Sequence, residues 1–303
     1  MSKPMDLSGK RLVVFGCGYL GRQVVEKALE RKMEVTALTR NEADAEFLKG
    51  HGLEKIVLAE LHENQWHSEI APEPEVALIC VGSGGRGLDG YRQSYVEGVR
   101  SVLNWAENYG KIGTLIFTSS TSVYPQNDEQ WVGENDSASG SSEGAKILLE
   151  AEELLKTSNA VGRWFIFRLG GIYGPGRHHL LNRARSGDFV EEEGDQVFLN
   201  SIHVTDAAQA VIAAAGSGEK VVGGIFNIVD DHPERKGEIV RYLREQVRDQ
   251  PAPRATISPS KRRRVGPRPS RKISNRKARE ILGWKPHFSD YRSGYAALLN
   301  IRE

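Results

Sequence analysis

One short segment constrains this chain more than any other. Val13-Val14-Phe15-Gly16-Cys17-Gly18-Tyr19-Leu20-Gly21 sets a GxGxxG loop between an apolar run and a helical pattern. Arg11–Phe15 reads as a buried strand, and the stretch after the loop carries Val24, Val25, Ala28, Leu29 and Met33 near helical spacing. In that setting Gly16 permits the tight turn, Gly18 lets backbone approach a pyrophosphate, and Gly21 lets the helix pack closely on the strand. The free amides at Tyr19 and Leu20 would then meet the phosphates with the positive end of the helix dipole. A glycine-rich strand–helix turn with no ligand is the alternative, but a second strand at Glu34–Leu38 completes the unit that binds a dinucleotide.

That second strand runs into Leu38-Thr39-Arg40, where an NAD site usually places Asp or Glu for the ribose hydroxyls. A guanidinium suits a 2′-phosphate, so Arg40 points to NADP(H); NAD held through Glu42 is the other option. After the fourth strand, Val81 and Gly82 open a loop in which glycine lets backbone pass close to a cofactor.

Further strands at Lys55–Leu58, Val76–Val81, Thr114–Thr118 and Trp164–Arg168 alternate with helical patterns, predicting an α/β doubly wound parallel sheet. After Arg168 a Gly/Pro-rich segment, an alanine-rich helix over Asp206–Ala215 and a strand at Gly224–Val229 follow. The expected organisation is a dinucleotide-binding domain over 1–170, rejoined by 203–230, with 171–202 and 231–303 forming a smaller substrate lobe. At 303 residues the chain has room for both. Forty-one basic against 40 acidic residues leave +1, so no overall field favours nucleic acid or an anionic membrane. Cys17 and Cys80 stand outside any metal or disulfide spacing, and no stretch is long and apolar enough to span a bilayer. A soluble, unprocessed cytoplasmic protein without a metal is expected.

Later segments carry a resemblance. Phe117-Thr118-Ser119-Ser120-Thr121-Ser122-Val123-Tyr124, Arg168 to Arg177 with its Tyr173-Gly174-Pro175, Asn200 to Asp206 with Ile202-His203-Val204, and Phe226-Asn227-Ile228-Val229-Asp230-Asp231 stand in order. With Ile273-Ser274-Asn275 and Leu282-Gly283-Trp284-Lys285-Pro286 closing the series, the chain resembles the extended short-chain dehydrogenases/reductases, including NAD(P)-dependent epimerases and dehydratases of nucleotide sugars. The resemblance implies acid/base chemistry by a Ser/Thr, a Tyr and a Lys, the last two as YxxxK on one helical face. Ser120 matches the Ser/Thr that hydrogen-bonds the reacting oxygen, and Lys146 matches the lysine on the nicotinamide ribose. Their alternatives are a strand-end serine serving backbone groups and a solvated helix lysine.

Ser142 stands where the tyrosine is expected and reads as a helix N-cap. Tyr124 and Tyr173 are substitute proton donors on paper, although each suits a packing role. Glu60-Leu61 resembles the family's pair beside the adenine, His203 reads as structural, and Cys17 as a gap filler. The family also implies a small-molecule substrate of the nucleotide-sugar kind and a homodimer.

Lys261 to Glu280 holds ten Lys/Arg and one acid. No aromatic residue interleaves them, against nucleic-acid binding; Arg263, Arg268 or Arg271 on a substrate diphosphate, or ion pairing with Glu191-Glu192-Glu193, are the remaining readings. The function expected is an NADP(H)-dependent oxidoreductase or epimerase/dehydratase-like enzyme; the alternative is a nonenzymatic NADP(H)-binding redox sensor or scaffold.

Overall fold

The computed structural model describes residues 5–83, 87–186, 196–218, 220–247 and 269–300. Its first part runs β1 (Arg11–Phe15), α1 (Tyr19–Glu30), β2 (Glu34–Thr39), α2 (Glu42–Gly50), β3 (Lys55–Leu58), β4 (Val76–Ile79), α3 (Gly87–Arg92), α4 (Gly98–Tyr109) and β5 (Ile112–Ser120). There follow β6 (Trp131–Val132), α5 (Glu143–Thr157), β7 (Val161–Leu169), β8 (Gly171–Tyr173), α6 (His179–Ser186), β9 (Phe198–Leu199), β10 (Ser201–His203) and α7 (Val204–Ala215). The rest is β11 (Gly223–Ile228), β12 (Glu234–Arg235), α8 (Lys236–Gln246), β13 (Lys272–Ile273), α9 (Arg276–Leu282) and α10 (Tyr291–Asn300).

Seven strands form one parallel sheet in the order β11-β7-β5-β4-β1-β2-β3. The doubly wound α/β fold expected from the sequence is thus the fold observed. Strand side chains alternate between two cores: Leu12 and Val14 of β1 join the cluster under α1 and α7, Val13 and Phe15 the one under α4 and α5. Being buried on both faces explains why these strands read as unbroken apolar runs. On the α4 face, Phe15, Trp66 and Trp105 form an aromatic knot with centroids 5.0–6.1 Å apart. A third cluster joins Tyr173, α6, α8 and α10.

At the start of α9 the N-cap position falls to Asn275, while Ser274 Oγ accepts from Arg276 N (3.3 Å). Asn275 does not cap with its side chain because its amide donates to Val229 O and Asp231 Oδ1 (2.9 and 2.8 Å), so tertiary bonding outbids local capping. Gly283 ends α9 in the left-handed region at φ +64°, as its place after Leu282 predicts. Among the described residues no helix is long and apolar enough to cross a membrane.

Candidate active site

The strand order reverses at β1, between β2 and β4, and the glycine loop leaves the sheet at that switch point. Gly16 N donates to Leu38 O and Cys80 N to Phe15 O, both 2.9 Å, tying the loop to each neighbour. Gly16 has φ +96°, and a Cβ there would lie 2.9 Å from the Val81 backbone. A Cβ on Gly21 would sit 2.4 Å from the Gly16 carbonyl oxygen, so only glycine lets α1 approach this closely. Gly18 faces open space and is the N-cap of α1, with no side chain capping and no acid in the first turn. The amides that start α1 are therefore left for a ligand anion, and these residues fit a dinucleotide pyrophosphate.

Tyr19 leans out of the loop. Its hydroxyl donates to Pro175 O (2.9 Å), the Arg177 guanidinium stands 5.5 Å over its ring, and burial pushes its phenol up to about 12. Leu20 and Cys17 turn into the core, and burial raises the Cys17 thiol to about 12 as well. Cys17 thus fills space, as expected for a residue walled in by apolar neighbours.

At the neighbouring strand ends, Arg40 Nη1 lies 3.5 Å from Glu60 Oε1 and Nη2 lies 3.4 Å from Ser83 O, with both side chains about two-fifths exposed. An ion pair this long between side chains this exposed is individually weak. Leu61 is buried, its carbonyl accepts the Trp66 indole N–H (3.2 Å), and its side chain packs on Gly98; the structure places it in the core. Val81 abuts Gly16, and Gly82 is exposed beside it.

The proton-transfer end is built from side chains. Ser120 closes β5, and its Oγ accepts from Ser122 N (3.1 Å), leaving its own hydrogen free to donate. Ser142 caps α5, accepting from Ala145 N (3.2 Å), in line with the capping role its sequence position suggested. Lys146 lies on the exposed side of the same turn with Nζ 2.7 Å from Glu143 Oε1. Tyr124 is fully buried, donates to Asn227 Oδ1 (2.9 Å) and has the Arg168 guanidinium over its ring. Tyr173 is buried against Tyr295 and Gly294 with its hydroxyl unpartnered. Both of these tyrosines pack into the interior.

His203 Nδ1 accepts from Thr205 N (3.3 Å) at the start of α7, and burial lowers its pKa to about 4, so it is a neutral structural cap. The described part of the basic stretch folds back onto the chain. Arg271 donates to Thr121 O (2.8 Å) and Gln126 O (3.5 Å), Arg279 pairs with Asp231, and Lys277 lies over Phe226. Arg263, Arg268 and Glu191-Glu192-Glu193 lie outside the described residues.

Sequence reasoning missed two features. Ser119 Oγ donates to Glu152 (2.6 Å), which pairs with Arg168 through bonds of 3.1 and 2.7 Å; this buried triad locks β5, α5 and β7 together beneath the site. Burial alone would lower the Arg168 guanidinium, but Glu152 and, to a lesser extent, Tyr124 together more than reverse it. Second, between α3 and α4 the helix widens into a π turn at Gln93–Glu97, and the Tyr91 and Tyr95 rings meet there at a tilt of 46° with centroids 4.5 Å apart. The available signal was their four-residue spacing, which puts both on one helical face. Among the described residues no group of His, Cys, Asp or Glu is arranged to hold a metal.

Comparison with known proteins agrees with this geometry. A Methylobacillus flagellatus protein assigned to the NAD-dependent epimerases/dehydratases superposes with TM-score 0.74 at 27% identity, covering 97% of this chain and 98% of that one. The UDP-Glc/GlcNAc 4-epimerase of Campylobacter jejuni gives 0.72 at 17% identity over 93% and 95% of the two chains. The dTDP-glucose 4,6-dehydratase DesIV of Streptomyces venezuelae, with NAD bound, gives 0.77 at 18% identity over 95% of each. A comparison with curated proteins gives no match. The family profile for NAD dependent epimerases/dehydratases matches residues 12–228, from β1 to the end of β11. Glycine loop, switch point and sequence profile coincide, and the chain belongs to the NAD dependent epimerase/dehydratase family, as an oxidoreductase/epimerase-type enzyme of the extended short-chain dehydrogenase/reductase kind.

Proposed function

We propose that this enzyme uses NADP(H) and acts on a nucleotide sugar or a similar polar carbonyl/alcohol. The observation that carries the reading is an uncapped glycine loop at the switch point with Arg40 just past the end of the next strand. The loop glycines and the amides of Tyr19 and Leu20 hold the pyrophosphate, while Arg40 exchanges Glu60 for the 2′-phosphate. Glu60, Leu61, Val81 and Gly82 border the adenosine side. Lys146 gives up Glu143 to reach the nicotinamide ribose, and Ser120 donates its free hydrogen to the reacting oxygen. When bound, the coenzyme supplies hydride exchange; the protein orients the two reactants and excludes water between them.

The substrate class rests on the structural neighbours, which include nucleotide-sugar epimerases and a dehydratase. Residues 1–170 with 203–230 are assigned to the coenzyme, and 171–202 with 231–303 to the substrate. Both cysteines are free, which suits a reducing cytoplasm. The test mixes the full chain with NADPH or NADH and a panel of nucleotide sugars and their keto forms, following reduced-nicotinamide absorbance. Turnover of at least one, with NADPH favoured by about tenfold or roughly 1.4 kcal/mol, is expected. NADPH binding without turnover across the panel would favour the redox-sensor alternative, and binding of neither nucleotide would remove both.

A further inference from the structure

We propose that Arg177, carried over the glycine loop on the ring of Tyr19, grips the coenzyme diphosphate from the segment after β8. This rests on the dinucleotide reading above and adds one charged side chain to a subsite otherwise built from backbone.

Tyr19 is the first residue of α1, and the Cα–Cβ bonds of a helix tilt toward its N-terminus. The ring therefore lies beside the free amides that open the helix. Its far end is anchored, because the hydroxyl donates to Pro175 O (2.9 Å), 156 positions along the chain. Gly174 makes room for this contact: a Cβ there would sit 2.7 Å from Tyr19 Oη and push the phenol off the segment. The turn that follows is closed at both ends, with Gly174 N donating to Arg177 O (3.1 Å) and Arg177 N to Gly174 O (3.0 Å). Arg177 is thus fixed at its backbone while its side chain stays exposed, and its guanidinium stands 5.5 Å over the Tyr19 ring. A cation–ring contact is held by the charge over the ring face and needs no N–H donor, so the donors stay open to an oxyanion.

The charges around the loop favour that use. Arg22, on the next turn of α1, is already paired with Asp44 and lies over Phe47. Among the described residues Arg177 has no ion pair, and the first turn of α1 carries no acid to compete for it. A diphosphate brings two negative charges to amides that offer only the helix dipole, whereas a guanidinium beside them adds two parallel, charge-assisted N–H···O bonds. Because Arg177 follows β8 and Tyr19 opens α1, the bound anion ties the glycine loop to the segment that leads into α6. The diphosphate is common to NADPH, NADH and ADP-ribose. Arg177 therefore acts on all three alike, in contrast to Arg40, whose assigned partner is the 2′-phosphate.

The test is calorimetric titration of the full chain, Arg177→Gln and Arg177→Lys with NADPH, NADH and ADP-ribose, joined to phosphorus NMR of the bound NADPH. Arg177→Gln is expected to weaken all three ligands by about tenfold, roughly 1.4 kcal/mol, with unchanged circular dichroism. Arg177→Lys keeps the charge without the fork and loses about threefold. The bound diphosphate resonances differ between the natural chain and Arg177→Gln, while the 2′-phosphate resonance stays in place. Equal affinities in the natural chain and Arg177→Gln, or a variant that moves only the 2′-phosphate resonance, overturn the proposal and leave the dinucleotide reading standing. No binding of any of the three by the natural chain overturns both. Should Arg177→Gln fail to fold, the affinities and diphosphate resonances of Arg177→Lys decide the matter in the same way.

Discussion

The diphosphate end of the cleft is made of backbone, and the proton-transfer end is made of side chains. At the first, Gly16 and Gly21 are fixed by contacts of 2.9 and 2.4 Å that a methyl group would violate, so residue identity and spacing are inseparable from shape. At the second, the expected tyrosine position holds a capping serine, while the Tyr91 ring from α3 packs against the same turn of α5. A site built from amides has one local sequence solution. A site built from side chains can be refilled from another element of the same fold.

Substitutions can break or sharpen that contrast. Gly21→Ala forces α1 away from the Gly16 carbonyl and should lower dinucleotide affinity more than a hundredfold, roughly 3 kcal/mol, read by reduced-nicotinamide fluorescence. A comparable effect on stability, without any on affinity at neutral pH, is expected at His203. Its folded pKa of about 4 lies below the unfolded value near 6.5, so the unfolded chain binds the extra proton first. The stability it allows is complete above that upper value and is lost as pH falls through the window, by roughly 3 kcal/mol in all. Urea unfolding should show a flatter pH dependence in His203→Asn than in the natural chain.

Arg40→Ala should weaken NADPH by about tenfold and leave NADH unchanged, since only the former offers a 2′-phosphate. Equal losses for both would make Arg40 a general contact. Smallest of the set, Ser142→Ala should cost about 1 kcal/mol of stability in urea and leave coenzyme affinity untouched, as removal of an N-cap does. A change in affinity there would return position 142 to the chemical end of the site.

The legible parts of the fold were those with local causes. Strands buried on both faces announce themselves as apolar runs, and the glycine loop and the Gly283 stop follow from steric rules that act within a few residues. The Ser142 cap was legible for the same reason. What was not legible depends on pairing across the chain. The Ser119–Glu152–Arg168 triad joins residues up to 49 positions apart, and the burial of Leu61 depends on Gly98, 37 positions on. Asn275 lost its capping role to contacts 44 and 46 residues away. The π turn gives no composition signal, so Tyr91 and Tyr95 remained two aromatic residues until the helix brought them against β5 and α5.

The account stands on the amides at the start of α1 receiving a pyrophosphate. Calorimetric titration of the full chain and of Gly18→Asp with NADPH and NADH tests this directly, because the new carboxylate would occupy the open space that Gly18 faces. One dinucleotide bound per chain, lost in the variant while its circular dichroism is unchanged, is the predicted result. Equal heats from both proteins would place the nucleotide elsewhere and contradict the account.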